Sequence, residues 1–183
     1  LYLCNKNLKN INNIDSDKAR HNLLLDVCLA AKYEGDSLKH YSKNLNLTYT
    51  DSPSQLCTEL ARSFADIGDI VRGKDLFLGH KQKKNQLEER LKTMFENIKE
   101  NNEKLKDLPL DAVREYWWEA NRQDVWKALT CEAPESAHYF RPTCGGDNES
   151  PSMAKNKCRC KKEDNTPDDQ VPTYFDYVPQ YLR

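Results

Sequence analysis

Glycine is scarce in this sequence, with six residues in 183 beside eight prolines and two methionines. So low a content excludes a collagen-like or glycine-rich low-complexity chain. No apolar run approaches the roughly 18 residues that a membrane-spanning helix needs. An excess of one charge is also missing. Lys and Arg number 28 against 29 Asp and Glu, a net charge of −1, so no global field drives the chain onto nucleic acid or an anionic membrane. Catalytic signatures are absent as well. His21, His40, His80 and His138 lie in separate segments. None belongs to a nucleophile elbow, a metalloprotease helix or a phosphate loop. Gly68 and Gly73 bracket IGDIVRG without forming a phosphate-binding fingerprint, and Asp66 and Asp69 read as solvated helix residues or caps. The chain opens at Leu1 with no basic n-region or apolar h-region, so it carries no signal peptide of its own and reads as an excerpt of something longer.

Leu, Ile, Val and Phe supply only about a fifth of the residues, near the edge of disorder for a highly charged chain. Near-neutrality and three tryptophans instead indicate a folded chain with a modest core. Its length fits one domain or two small ones.

Apolar spacing predicts four helical regions. Over 17–34, Ala19, Leu23, Val27, Ala30 and Ala31 recur at helical spacing, with Asp15 or Ser16 as cap and Gly35 as stop. Residues 36–51 read as polar and irregular. A second helix starts at Ser52, with Pro53 in its first turn and Gln55 completing a capping box. Its stripe is Leu56, Leu60, Phe64, Ile67 and Val71, and Gly73 ends it. Residues 83–106 form the clearest amphipathic helix, carrying Leu87, Leu91, Met94, Phe95, Ile98 and Leu105 on one face. A fourth helix runs over 110–120. There the stripe of Val113, Trp117 and Ala120 slips, and Val125 and Leu129 start a new one, so a break is expected near Asn121. Trp117 and Trp118 point about 100° apart, so one joins the core and the other faces a second subdomain or a binding surface. From about 132 the chain turns loop-rich, with Pro134, Pro142, Pro151, Pro167 and the Gly145-Gly146 pair. VPTYFDYVPQYLR at 171–183 reads as a docked, partly extended strap. No internal repeat is visible.

Seven cysteines (Cys4, Cys28, Cys57, Cys131, Cys144, Cys158 and Cys160) are spread along the chain rather than gathered in CxxC knuckles. That distribution favours disulfides in an oxidising compartment over a cytosolic set of buried thiols. The odd count leaves one thiol free or paired outside this sequence. Cys57 near the start of one helix and Cys131 at the end of another form the expected bridge, closing 75 residues. The chain-entropy model puts its contribution at about 4.5 kcal/mol. His138, Cys144, Cys158 and Cys160 are the one candidate zinc set, but one residue between two thiols is poor spacing. No metal or other cofactor is expected.

Two basic clusters break the neutral background. One is His80, Lys81, Lys83 and Lys84; the other is Lys155, Lys157, Arg159, Lys161 and Lys162. They are the candidate ligand-binding residues, able to hold sulfated polysaccharide by charge-assisted contacts. The alternative is solvated lysines on loops and helix ends. No aromatic is interleaved with them, which argues against a base-stacking platform. The sequons Asn46-Leu47-Thr48 and Asn148-Glu149-Ser150 permit glycosylation in a suitable host.

The segments ARSFADIGDIVRGKDLFLG (61–79), REYWWEANRQDVWKALTC (114–131), YFRPTC (139–144) and VPTYFDYVPQYLR (171–183) resemble the signature blocks of a Duffy-binding-like domain. The resemblance is to the alpha class found in Plasmodium falciparum erythrocyte membrane protein 1. HNLLLDVCLAAKYEG (21–35) resembles an upstream block. The resemblance implies a mainly α helical bundle with long loops and disulfide-linked subdomains. It divides the chain into 1–16, the end of an upstream subdomain, 17–131, a central bundle, and 132–183, the loop-rich start of a last subdomain. It implies a non-enzymatic adhesion domain of a variant surface antigen on the extracellular face of the infected erythrocyte membrane, anchored through other parts of the parent protein. Its implied partners are host-cell receptors (glycan, sulfated polysaccharide such as heparan sulfate, or protein) and antibodies, in cytoadhesion, rosetting and antigenic variation. A host glycan is the favoured ligand. A protein-recognition module using Tyr116 or Trp118 is the alternative, beside a mainly antigenic surface.

Overall fold

The computed structural model describes residues 19–46, 54–76, 81–145, 151–161 and 170–183. Four helices dominate: α1 (Ala19–Asn46), α2 (Ser54–Arg72), α3 (Lys81–Glu100) and α4 (Leu110–Leu129). A two-stranded antiparallel sheet of β1 (Pro142–Cys144) and β2 (Ser152–Met153) follows, then two 3-10 turns at Phe175–Tyr177 and Gln180–Leu182. Among the described residues no helix is long and apolar enough to cross a membrane.

The α2 and α3 stripes behave as their spacing requires. Leu60, Phe64 and Val71 are buried from α2, and Leu91, Phe95 and Ile98 from α3. Gly73 adopts φ +73 and ends α2, with the Lys74 amide donating to the Asp69 carbonyl at 2.8 Å. This left-handed stop is the glycine exit expected of a helix C-terminus. The proposed cap at Ser52 and Pro53 lies outside the described residues. α3 stops at Glu100 rather than 106, and turns carry the chain to Pro109.

Two sequence expectations fail at α4, for one physical reason. α4 packs against α1, α2 and α3 together, so its apolar positions need not keep a single stripe. Trp117 meets Phe95 of α3 edge-on at 5.9 Å. Trp118 and Trp126 meet Phe64 of α2 at 5.1 and 5.2 Å. Both Trp117 and Trp118 are therefore core, and neither is at a binding surface. The expected break at Asn121 is absent as well. The buried Asn121 side chain donates to the Trp117 carbonyl at 2.6 Å, and α4 runs through it.

Gly35 does not end α1, which continues to Asn46. A Cβ at Gly35 would stand 1.9 Å from the Leu129 carbonyl oxygen of α4. This glycine serves close helix–helix approach, worth its cost of about 1 kcal/mol inside a helix. Gly35→Ala is therefore expected to destabilise toward the upper end of the roughly 1–3 kcal/mol typical of overpacking, because its obstacle is backbone. A urea midpoint unchanged from wild type would contradict that packing.

The expected Cys57–Cys131 bridge is overturned. Cys57 pairs with Cys158, and Cys144 pairs with Cys160. Among the described residues Cys131 is exposed and Cys28 half-buried, both as free thiols, while Cys4 lies outside them. α2 and α4 run antiparallel, since Arg72 faces Glu115 while Phe64 faces Trp118 and Trp126. Cys57 thus does lie toward the α4 C-terminus, as the expectation required. Asn156, Lys157 and Cys158, however, take φ of 56, 61 and 57, a left-handed turn. That turn brings Cys158 over the bundle end, where its carbonyl accepts the Trp126 Nε1 proton at 3.1 Å. Cys158 reaches the buried site and Cys131 is left facing solvent.

Candidate receptor-facing surface

The strap, residues 170–183, is fastened along its length. Thr143 Oγ1 donates to the Pro172 carbonyl at 2.7 Å, and Tyr139 Oη donates to Thr173 Oγ1 at 3.1 Å. Its central anchor is Asp176, whose side chain is fully buried. That carboxylate accepts Trp118 Nε1 at 2.9 Å and two Arg122 bonds at 2.8 Å. A buried carboxylate is tolerable because each oxygen is matched by a donor. Burial lowers the Arg122 pKa, but the hydrogen bonds and charge of Asp176 more than offset this and hold it above its ordinary value. The Asp176 carbonyl also accepts a bond from Arg72.

Arg72 and Arg114 complete the frame. Arg72 is buried, paired with Asp69 at 3.2 Å, and lies 5.9 Å over the Trp118 ring. Arg114 Nε donates to the Val71 carbonyl at 2.7 Å and its Nη2 to the Ile70 carbonyl at 3.0 Å, closing the last carbonyls of α2. Arg183 pairs with Asp69 and approaches Asp66 at 3.6 Å. Asp69 is thus a buried ion-pair member rather than a solvated helix residue. Burial raises the Asp66 pKa against the opposing charge of Arg183.

On the outside of this frame stand tyrosines. The Arg122 guanidinium lies 5.7 Å over the Tyr174 ring and 5.1 Å over the Tyr177 ring. Tyr177 Oη donates to Glu119, and burial with that bond pushes the Tyr177 pKa well up. Tyr116 sits one turn before Glu119 on α4 and is exposed, as are Tyr174, Tyr177 and Tyr181. Sequence reasoning singled out Tyr116 but missed Arg122, Asp176 and the strap tyrosines as a unit. The signal was an acid set between aromatics in YFDY, with Arg122 one turn beyond Trp118.

The two basic clusters fare differently. Lys81, Lys83 and Lys84 occupy the first turn of α3, with side chains outside the described residues, as is His80. In the second cluster, Arg159 donates to Thr130 Oγ1 at 2.8 Å and the Lys127 carbonyl at 2.6 Å. Lys157 Nζ donates to the Cys131 carbonyl at 3.1 Å. Both cations therefore close the α4 C-terminus, where the helix dipole favours positive charge. Lys155 and Lys161 are exposed, and Lys162 lies outside the described residues. Cys144, Cys158 and Cys160 are consumed by disulfides, so the zinc set loses its thiolates. Among the described residues no three metal-ligating side chains converge.

The two free thiols differ in reactivity. Burial, helped by the charge of Asp124, pushes the Cys28 pKa up to about 11. At pH 8 only roughly a thousandth of Cys28 is thiolate, the reactive form. Iodoacetamide is expected to label the exposed Cys131 first and to reach Cys28 only as pH rises toward 11. Equal labelling rates at pH 8 would contradict this placement.

A family model described as the Duffy binding domain matches residues 1–183. No curated protein matches the chain. Among solved structures, the DBLβ domain of the PfEMP1 variant IT4var13 bound to ICAM-1 is 32% identical, with a TM-score of 0.66, covering 98% of this chain and 40% of that one. The structure of the same domain, described as ICAM-1-binding, is 34% identical at a TM-score of 0.66, covering 96% and 38%. A further PfEMP1 DBLβ domain bound to human ICAM-1 is 30% identical at a TM-score of 0.60, covering 98% and 36%. The chain spans about two fifths of the length of these structures.

Proposed function

The chain belongs to the Duffy-binding domain family, and from that premise we propose that it is the helical, disulfide-braced part of an extracellular adhesion domain that binds a host cell-surface protein. The observation carrying this reading is that related domains at 30 and 32% identity are found bound to ICAM-1, a protein receptor. The braced tyrosine surface supports it, since rigid aromatics contribute contact area at low entropic cost. The resemblance to the alpha class of the infected-cell surface antigen, together with the two disulfides, supports a setting outside the red cell, where such bridges persist.

A sulfated glycan is the second reading. Lys81, Lys83 and Lys84 crowd the first turn of α3, which holds no acid. Positive charge is disfavoured at that helix end, and a bound polyanion offsets the cost. Beads coated with the protein should bind endothelial cells, lose binding after trypsin treatment of the cells and keep it after heparinase. Loss with heparinase alone, together with loss on charge reversal at Lys81, Lys83 and Lys84, would replace the protein reading with the glycan one.

A further inference from the structure

Resting on the adhesion reading, we propose that the outward face of α4 together with the strap docks a basic, apolar-bearing segment of the protein partner. Asp111, Glu115 and Glu119 are spaced four residues apart on α4, so they project along one side of the helix. Like charges at this spacing repel, which a cationic partner relieves. Lys74 and Arg72, both from the end of α2, pair with Glu115. The acidity of the face therefore rests on Asp111 and Glu119, although the chain as a whole is nearly neutral.

The apolar component comes from tyrosine. Tyr116 is 60% exposed and lies between the Glu115 and Glu119 turns. Tyr177 joins the same patch through its bond to Glu119. Gln180 accepts from the Leu76 amide at 2.6 Å and donates to Asp75 at 3.0 Å, so the strap end that carries Tyr181 is tied to the loop after α2. Tyr177 is held before any partner arrives by Arg122 and Glu119, and Tyr174 by Arg122. Pre-organised aromatics beside carboxylates suit Arg or Lys stems with neighbouring aliphatic groups, through cation–π and charge-assisted contacts. Aromatic anchors ringed by charge are also the composition of interface hot spots.

The test uses the disulfide-intact protein and a synthetic 12-residue peptide alternating Lys or Arg with Leu, beside a Glu-for-Lys/Arg control. The cationic peptide is expected to bind, to weaken as salt rises, and to compete with cell binding, while the acidic control does neither. Tyr116→Ala is expected to weaken peptide binding about tenfold, and Asp111→Asn with Glu119→Gln several-fold with a flatter salt dependence. These positions are exposed, so unchanged helical circular dichroism serves as the folding control. Equal binding of both peptides, or wild-type binding by the variants, would overturn the proposal. So would protection of Tyr116 and Tyr177 from hydroxyl-radical labelling in the longer domain without a partner, which assigns the face to the rest of that domain. If wild type binds no cells, the adhesion reading fails separately, and the peptide titration still decides the surface. If cell binding survives Tyr116→Ala while peptide binding is lost, the adhesion reading stands and the face is not its receptor site.

Discussion

Replacing Cys57 and Cys158 together by alanine is expected to destabilise the chain by about 4–5 kcal/mol. The bridge spans a separation of 101 residues, and a loop near 100 residues corresponds to about 4.7 kcal/mol in the chain-entropy model. Native domains hold only about 5–15 kcal/mol in all, so most of the margin goes. The Cys144–Cys160 bridge spans 16 residues and is expected to contribute about 3 kcal/mol. The double substitution matters, because Cys57→Ala alone frees Cys158 near the exposed Cys131. Trp126 and Lys127 bond to residues 158 and 159, while Lys157 bonds to Cys131 itself. Urea unfolding of the double variant tests this. A loss under about 1 kcal/mol would show that the crosslink is incidental to the frame.

Asp176→Ala is expected to cost about 3–5 kcal/mol, the range for stranding one partner of a buried ion pair. It leaves the Arg122 guanidinium, 12% exposed, without its carboxylate and Trp118 Nε1 without an acceptor. For a chain of this length that is a fall in melting temperature on the order of 10 °C. Asp176→Asn keeps an acceptor for Trp118 and removes the charge, so its loss should be smaller. Hydrogen exchange across 173–183 should rise in both variants, because Tyr174 and Tyr177 lean on Arg122. A melting temperature within a degree or two of wild type would mean that the strap is held elsewhere.

Helix positions in α2 and α3 were legible because each helix buries one face, and a one-sided stripe is what periodicity detects. Val71, Gly73 and Phe95 fall where that reasoning puts them. α4 was misread at Asn121 because a helix surrounded by three others shows no single phase. Gly35 was misread because a glycine that ends a helix and one that admits a neighbouring backbone look identical in sequence. The disulfide pairing turned on three consecutive non-glycine residues in left-handed conformation, Asn156 to Cys158, which no propensity foresees. Basic residues were visible as a cluster, but their employment was not. Arg159 and Lys157 close a helix end, which only the folded geometry reveals. The strap was expected to dock, and does so. The buried pairing of Asp176 with Arg122 depends on a separation of 54 residues that local spacing cannot reach.

Digestion of the native protein without reduction, followed by mass spectrometry of the linked peptides, addresses the frame directly. The structure requires one linked pair carrying Cys57 and Cys158 and another carrying Cys144 and Cys160, with Cys131 recovered outside both. A peptide joining Cys57 to Cys131 would contradict it, and with it the placement of the 155–161 turn over the end of the bundle.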